Sequence, residues 1–332
     1  MISEQTRFSK KRLKSLEARG KVLRLVRDFF FEKHFLEVET PLLVPAPGLE
    51  VHLKSIRAGG NYLITSPEYQ MKRLLVSGLK DIYTICKCFR DEESGPQHNS
   101  EFTMLEWYRA GQSLEKIQTD TEDLVTKVLL EFWPDGEIIV SEKPVSFQKP
   151  WPRTTVRSLM EKHAGVLLRG DESIEELKDK FEKAGHTFGN AKEWDDIFFT
   201  VFLDHVEPAL RSMNTPVFVA EWPVKLGALA KCTEGSSETV QRFEAYIGGI
   251  ELANAFGELT CAQEQHKRFE DDLAYRSRNK LHVPPLDEKF LSALEEGMPE
   301  SSGIALGIDR LVMLASGSQS IKDVLTFDTQ EL

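Results

Sequence analysis

The sequence predicts an α+β fold built on an antiparallel sheet. Three observations carry that expectation. A helix with an apolar stripe opens the chain, strand hairpins follow, and a long helical stretch separates them from further strands near the C-terminus. The sequence lacks internal repeats and the G-x-G-x-x-G and Walker A loops that cradle phosphates in many parallel α/β folds. At 332 residues, 41% hydrophobic and 29% charged, the chain can bury a substantial core as one large domain or two ordinary ones.

Residues 1–19 read as a basic tail or short leading helix (Arg7, Lys10, Lys11, Arg12, Lys14, Arg19) without the apolar centre of a signal peptide. Residues 21–34 form a helix on the stripe Val22, Leu25, Val26, Phe29 and Phe30. Residues 36–40 are extended and stop at Pro41. Residues 67–76 form a helix opened by proline in its first turn. Residues 81–109 make a hairpin. Ser113 is placed to cap the next helix, whose apolar positions run from Leu114 to Phe132 at helical spacing. From about residue 150 to 215 the composition turns helical and charged, which reads as a helical insertion. His205 lies on one of its apolar stripes and is expected as a packed core histidine. Strands return at 217–220 and 242–247.

No apolar run approaches the length of a bilayer span, so no membrane segment is expected. The four cysteines, two of them in Cys86-Lys87-Cys88, form no disulfide framework or zinc spacing. A cytoplasmic protein with reduced thiols is expected, Cys86 and Cys88 being small packing residues. The net charge of −11 argues against a general nucleic-acid binder, although residues 1–27 could form a local basic patch.

Three segments carry chemistry. In the first, Phe89-Arg90-Asp91-Glu92 leads through a loop ending at His98-Asn99 into Glu101-Phe102-Thr103-Met104-Leu105-Glu106-Trp107-Tyr108. Strand parity places Arg90 with Glu92, and Phe102 with Glu106 and Tyr108, on shared faces. A guanidinium, carboxylates, an aromatic plate and a phenol suit a nucleotide triphosphate beside a cationic small molecule; the competing reading is a hairpin with a polar outer face. In the second, Gly248-Gly249 turns two strands so that Tyr246 pairs with Glu251 and Glu244 with Ala253. Glu244 and Glu251 then lie roughly 7–8 Å apart on one face, a place for Mg²⁺ bridging to phosphate or simply a solvated face. Strict alternation turns Asn254 away; it and Glu258 join the site only if the strand bulges or ends near Ala253. In the third, Gly303-Ile304-Ala305-Leu306-Gly307-Ile308-Asp309-Arg310 reads as a strand entering a helix. Arg310 in its first turn would make a phosphate site.

Together these segments resemble the motifs of class II aminoacyl-tRNA synthetases. Glu37-Val38-Glu39-Thr40-Pro41 looks like motif 1, Phe89 through Tyr108 like motif 2, and Gly307-Ile308-Asp309-Arg310 like motif 3. Within that class the match is to the lysyl enzymes, through Ser66-Pro67-Glu68, Lys72-Arg73-Leu74, His98-Asn99, Glu101-Phe102-Thr103-Met104 and Glu251-Leu252-Ala253-Asn254. Only about 20 residues precede the first predicted helix, too few for an anticodon-binding barrel, which needs roughly 50 or more. The chain therefore resembles the elongation factor P–(R)-β-lysine ligase family, truncated paralogues of lysyl-tRNA synthetase. Residues 104–109, Gly297-Met298-Pro299, Ser66 and Ala305 fit that family. Ala255, Gly257, Ser100 and Cys261 depart from the pattern without removing a proposed ligand.

The resemblance implies a basic tail at 1–19, a catalytic domain at 20–332, no anticodon-binding domain, and a homodimer through motif 1. It implies ATP as substrate, Mg²⁺ as cofactor, lysine or (R)-β-lysine as the acid activated, and elongation factor P rather than tRNA as acceptor. Arg90 and Arg310 would be catalytic. Arg90, Glu92, His98, Phe102, Glu244, Glu251 and Arg310 would bind ATP, with Glu244 and Glu251 on the metal. Ser66, Glu68, Glu106, Tyr108, Asn254, Glu258 and Ala305 would bind the amino acid. The methyl of Ala305 would disfavour an α-amino acid and suit a β-amino one. Three other readings share these residues: a ligase acting on a tRNA acceptor stem, an amide synthetase using a small amine, and an inactive paralogue.

Overall fold

The computed structural model describes residues 9–93, 95–328 and 331. It opens on α1 (Lys10–Glu32), which starts well before residue 21. The Ser9 side chain caps it by accepting the Arg12 N–H, and the helix runs through Gly20 without a break. Basic residues on its first turns are tied to the C-terminal segment: Lys11 to Asp323, Arg12 to Glu331 and Arg19 to Asp309. The expected tail is thus helical from Lys10 onward. Lys11, Arg12 and Arg19 are ion-paired rather than left as a free basic patch. Residues 1–8, which include Arg7, lie outside the described residues.

After β1 (Leu36–Glu37), a small sheet forms from β2 (Leu43–Val44), β3 (Arg57–Ala58) and β4 (Asn61–Leu63), in the order β2-β4-β3. Then come α2 (Glu68–Val76), with Pro67 at its N-cap, and the long hairpin of β5 (Asp81–Phe89) and β6 (Glu101–Ala110). In α3 (Leu114–Leu130), Ser113 holds the N-cap position with an extended backbone, but its hydroxyl makes no backbone cap. A two-stranded ribbon, β7 (Glu137–Val140) and β8 (Lys143–Ser146), leads to the short strand β9 (Arg153–Thr155).

The stretch that follows is helical: α4 (Val156–Leu159), α5 (Ile174–Lys183), α6 (Trp194–Val201) and α7 (Glu207–Ser212). Its core, including Phe181, Phe198 and Phe202, packs on Val219 and Trp222 of β10 (Val217–Pro223). His205 is not a core residue. A π-helical turn at Phe202–Val206 widens the spiral, so Val206 takes the buried position and His205 is exposed, its ring beside His186 at 4.4 Å.

The chain closes with β11 (Thr239–Ile247), β12 (Ile250–Gly257), α8 (Ala262–Arg278), α9 (Glu288–Gly297), β13 (Ser301–Gly307) and α10 (Ile308–Ser316). The main sheet has eight strands in the order β1-β5-β6-β13-β12-β11-β10-β9. Its centre is antiparallel as expected. The edge pairs β1–β5 and β9–β10 are parallel, which makes the sheet mixed. One face buries Leu105, Trp107, Ala253, Ala255, Ile304 and Leu306 against α1, α3 and α10. Alternation sends Glu106, Tyr108, Asn254, Gly303 and Ala305 to the other face. No helix among the described residues is long and apolar enough to cross a membrane.

Phe30 anchors α1 to this sheet. It is fully buried, stacked on Tyr83 at 4.4 Å, with Phe35 at 4.9 Å and Trp107 at 5.4 Å. Phe30→Ala is expected to lower unfolding free energy by about 3–5 kcal/mol, measured by denaturant titration against the unsubstituted chain.

Candidate active site

A cavity of about 350 Å³ opens on the polar face of the sheet. Its floor is β13, where small residues sit between functional neighbours. Gly303 lies in register with Tyr108 on one side and Phe256 on the other, and Ala305 with Glu106 and Asn254. A Cβ on Gly303 would come within 2.2 Å of the Tyr108 ring and 2.6 Å of Glu258 Oε1. Glycine is required there for the phenol and the carboxylate to meet over the strand.

The closed end is anionic. Glu106 is almost fully buried and accepts hydrogen bonds from the Ser66 hydroxyl and the Tyr108 hydroxyl, the latter at 3.1 Å. Burial, and then the charge of Glu68, pushes the Glu106 carboxyl well above the usual carboxylate range. Glu68 and Glu258 flank Lys72, each 2.6 Å from its ammonium, and Lys72 has no exposed surface. Burial alone would lower the Lys72 pKa, but the charges of Glu258 and Glu68 outweigh it and hold the ammonium protonated. Burial pushes Glu258 up to about 8, opposed by Lys72 and reinforced by Glu68.

The opposite end is cationic. The Arg90 guanidinium lies over the Phe102 ring at 5.0 Å and 3.6 Å from Glu93. Arg310, at the start of α10, donates to the Glu251 carbonyl at 2.6 Å and to His98 Nε2 at 2.8 Å. Burial, and then the Arg310 charge, lowers the His98 pKa. His98 is therefore a neutral acceptor that aims Arg310, and the charge comes from the arginine. Asp309 anchors this helix start, accepting the Thr103 N–H at 2.7 Å and pairing with Arg19 of α1.

Two strand-level expectations are corrected. Glu92 does not share a face with Arg90. The strand ends at Phe89, the backbone turns left-handed at Glu92 (φ 60°), and its carboxylate pairs with Lys54 outside the cavity while Glu93 lines it. In the Gly248-Gly249 hairpin, Tyr246 does pair with Glu251, but Ala245 then pairs with Ala253 and Glu244 with Asn254. Leu252 is an extra residue in β12, a bulge that returns Asn254 to the face of Glu251, with Glu258 beyond it.

Glu244 is buried beneath this surface rather than lining the cavity, and accepts from Arg242 at 2.6 Å and from the Tyr246 hydroxyl. Burial, and then the charge of Glu251, raises its pKa to about 7. The part of that rise that comes from the facing Glu251 carboxylate is a repulsion a divalent cation would relieve. Among the described residues no three metal-ligating side chains converge. Glu251 at the cavity, with Glu244 beneath it, is a donor set of the kind Mg²⁺ takes together with phosphate oxygens.

Reasoning from sequence assigned no role to Lys72, Glu50, Arg242 or Gly303. Lys72 had a local signal, since Glu68 and Lys72 sit four apart on α2. Arg242 depends on the hairpin register and stacks on Trp222 at 4.5 Å, which no local pattern announces.

The fold and the site define a class. The family model for tRNA synthetases class II (D, K and N) matches residues 5–331, and the chain belongs to that class. It is 38% identical over 325 residues to the elongation factor P–(R)-β-lysine ligase of Edwardsiella ictaluri, covering 94% of each chain. The ligase of Pseudoalteromonas translucida is 38% identical over 326 residues (95% of each), and that of Proteus mirabilis 36% over 323 (94% of each). Within the class, the chain belongs to the family of these ligases.

The raised carboxyls make ligand binding proton-linked. Glu258, pushed up to about 8, is protonated below that value, and a cationic ligand at this end must displace the proton. Affinity for a cationic ligand is expected to rise with pH up to about 8, by up to roughly tenfold per pH unit for the proton released, and then to level off. Calorimetric titration in buffers of different ionisation enthalpy would count the protons released.

Proposed function

We propose that this enzyme activates lysine or (R)-β-lysine with ATP and transfers the aminoacyl group to a lysine side chain of elongation factor P. The observation that carries the reading is the polarity of the cavity: carboxylates at the closed end, arginines at the other. A zwitterion with a distal ammonium fits in one orientation only, its carboxylate toward Arg90. The names of the relatives supply the acceptor and favour the β-isomer.

In the first step a substrate carboxylate oxygen attacks the α-phosphorus of ATP. The bond from that phosphorus to the bridging oxygen breaks, leaving an aminoacyl-adenylate and pyrophosphate. Arg90 would hold the α-phosphate and the substrate carboxylate together, which is the positioning such a reaction mostly needs. The adenine would stack on Phe102, and Arg310, aimed by His98, would neutralise the outer phosphates. Glu251 and Glu244 would hold Mg²⁺, which when bound screens charge on the phosphate oxygens. Asn254 would orient the substrate carboxylate; its own carbonyl oxygen accepts from Arg242 Nε at 3.1 Å. In the second step a deprotonated amine of the acceptor attacks the acyl carbon and AMP leaves.

Glu106, Glu258 and the Tyr108 hydroxyl would bind the distal ammonium, with Ser66 and Glu68 beside them. Buried carboxylates suit this because a charge-assisted hydrogen bond away from water is worth roughly 1.5–3 kcal/mol. A dimer through the region of α1 and β1 is part of the proposal, supported by exposed Phe31, Leu36, Leu42 and Leu43. A cytoplasmic setting fits the four free cysteines.

The test is the intact mass of elongation factor P after incubation with the enzyme, ATP, Mg²⁺ and either isomer. A gain of one lysyl unit is expected, faster with (R)-β-lysine. No gain, with lysine-dependent pyrophosphate exchange intact, would keep the adenylation and reject the acceptor. Ala305 lies between Glu106 and Asn254, so Ala305→Gly is expected to raise the use of α-lysine relative to β-lysine in the exchange assay. An unchanged ratio would remove Ala305 from isomer control.

A further inference from the structure

The substrates proposed above carry two ammonium groups, and three carboxylates that line the cavity, Glu106, Glu50 and Asp272, form no ion pair among the described residues. Lys72 serves Glu68 and Glu258 together. Glu106 receives only hydroxyl hydrogen bonds. Glu50, on the loop between β2 and β3, also lines the cavity. Its Oε2 is shut off from solvent and has no hydrogen-bond partner. A carboxylate oxygen left buried and unpartnered is costly unless a ligand completes it.

The loop around Glu50 is held in place. The Arg276 guanidinium, reaching over from α8, donates to the carbonyls of Glu50 at 2.6 Å, Leu53 at 2.8 Å, His282 at 3.3 Å and Leu49 at 3.4 Å. The Leu49 N–H donates to the Tyr69 hydroxyl at 3.2 Å, and His52 pairs with Asp195 of α6 at 2.5 Å. Gly48 allows the side chain to fold inward, since a Cβ there would stand 2.4 Å from Glu50 Oε2. Burial, and then the charge of Glu68, raises the Glu50 carboxyl, while Arg90 and Arg276 pull it down. Glu50 thus lies within the field of both the pocket carboxylates and the arginine proposed to hold the substrate carboxylate. Asp272, also at this cavity, is pushed up to about 7 by burial and then by the charge of Glu50, against the pull of Arg276 and His52, and so adds negative charge beside Glu50.

We infer that Glu50 binds the second ammonium of the substrate, the one nearer its carboxylate, and so makes the site select diamino acids. Arg276 is the positioning residue that fixes the loop. This rests on the lysine-activating reading above. With the carboxylate at Arg90 and the distal ammonium at Glu106, an amine one or two carbons from the carboxylate falls at the Glu50 end of the chain.

The experiment compares (R)-β-lysine and lysine with 6-aminohexanoate, which keeps the carboxylate and the distal ammonium but lacks the second amine. The first two are followed by pyrophosphate exchange, and 6-aminohexanoate by its inhibition constant against them. Glu50→Gln is expected to lower kcat/KM for the diamino acids by roughly 10- to 150-fold while leaving the 6-aminohexanoate constant within about twofold. Glu106→Gln, the comparator, is expected to weaken all three. Unchanged binding of 6-aminohexanoate also shows that the Glu50 variant is folded. Equal losses for all ligands in Glu50→Gln would overturn the inference. So would a change below about twofold for the diamino acids, or 6-aminohexanoate binding the unsubstituted enzyme as tightly as they do. If the unsubstituted enzyme activates neither lysine isomer, the parent reading fails and this one with it, a result distinct from activation that ignores Glu50.

Discussion

The site is organised around one buried cation. Lys72 has no exposed surface and stands between Glu68, one turn away on α2, and Glu258, just past the end of β12. An unpaired ammonium at that depth would be prohibitive, and breaking such a pair by removing one partner typically costs about 3–5 kcal/mol. The triad therefore ties helix to sheet and fixes both carboxylates. Tyr108 and Glu258 can close over β13 only because position 303 is glycine. Glu106 and Glu50 are left among the cavity carboxylates with no ion pair of their own.

The same logic of paired charge separates the two ends of the cavity. On the arginine side, Arg310 is steered by a neutral His98 and anchored through Asp309, which reaches both β6 and α1. The Leu252 bulge does the corresponding work on β12. Without that extra residue Asn254 and Glu258 would point into the apolar core, on the side that Ala253 and Ala255 now face. One bulge thus decides whether the hairpin is a surface ribbon or a wall of the site.

Much of this was legible in the sequence because strand parity is local. Placing Phe102, Glu106 and Tyr108 on one face needed only alternation, and the Gly248-Gly249 turn needed only its glycines. Helix positions in α2 and α10 followed from proline and glycine punctuation. What failed depended on events that alternation does not encode. Glu92 was misplaced because β5 stops three residues earlier and the chain turns left-handed. His205 was misread because a π-helical turn shifted the stripe by one residue. The start of α1 was left open between a tail and a short helix because its first turns are charged, and their partners lie some 300 residues away, as in the Lys11 to Asp323 pair. Glu50 was silent because a loop carboxylate gains meaning only from Arg276, on a distant helix, holding its backbone.

The measurement that bears most directly on this account is a structure of the enzyme with a non-hydrolysable ATP analogue and (R)-β-lysine. The account requires the substrate carboxylate at Arg90, the distal nitrogen within hydrogen-bond reach of Glu106 and the Tyr108 hydroxyl, and Lys72 still between Glu68 and Glu258. A reversed amino acid, or Lys72 displaced so that the ligand ammonium takes its place, would contradict it.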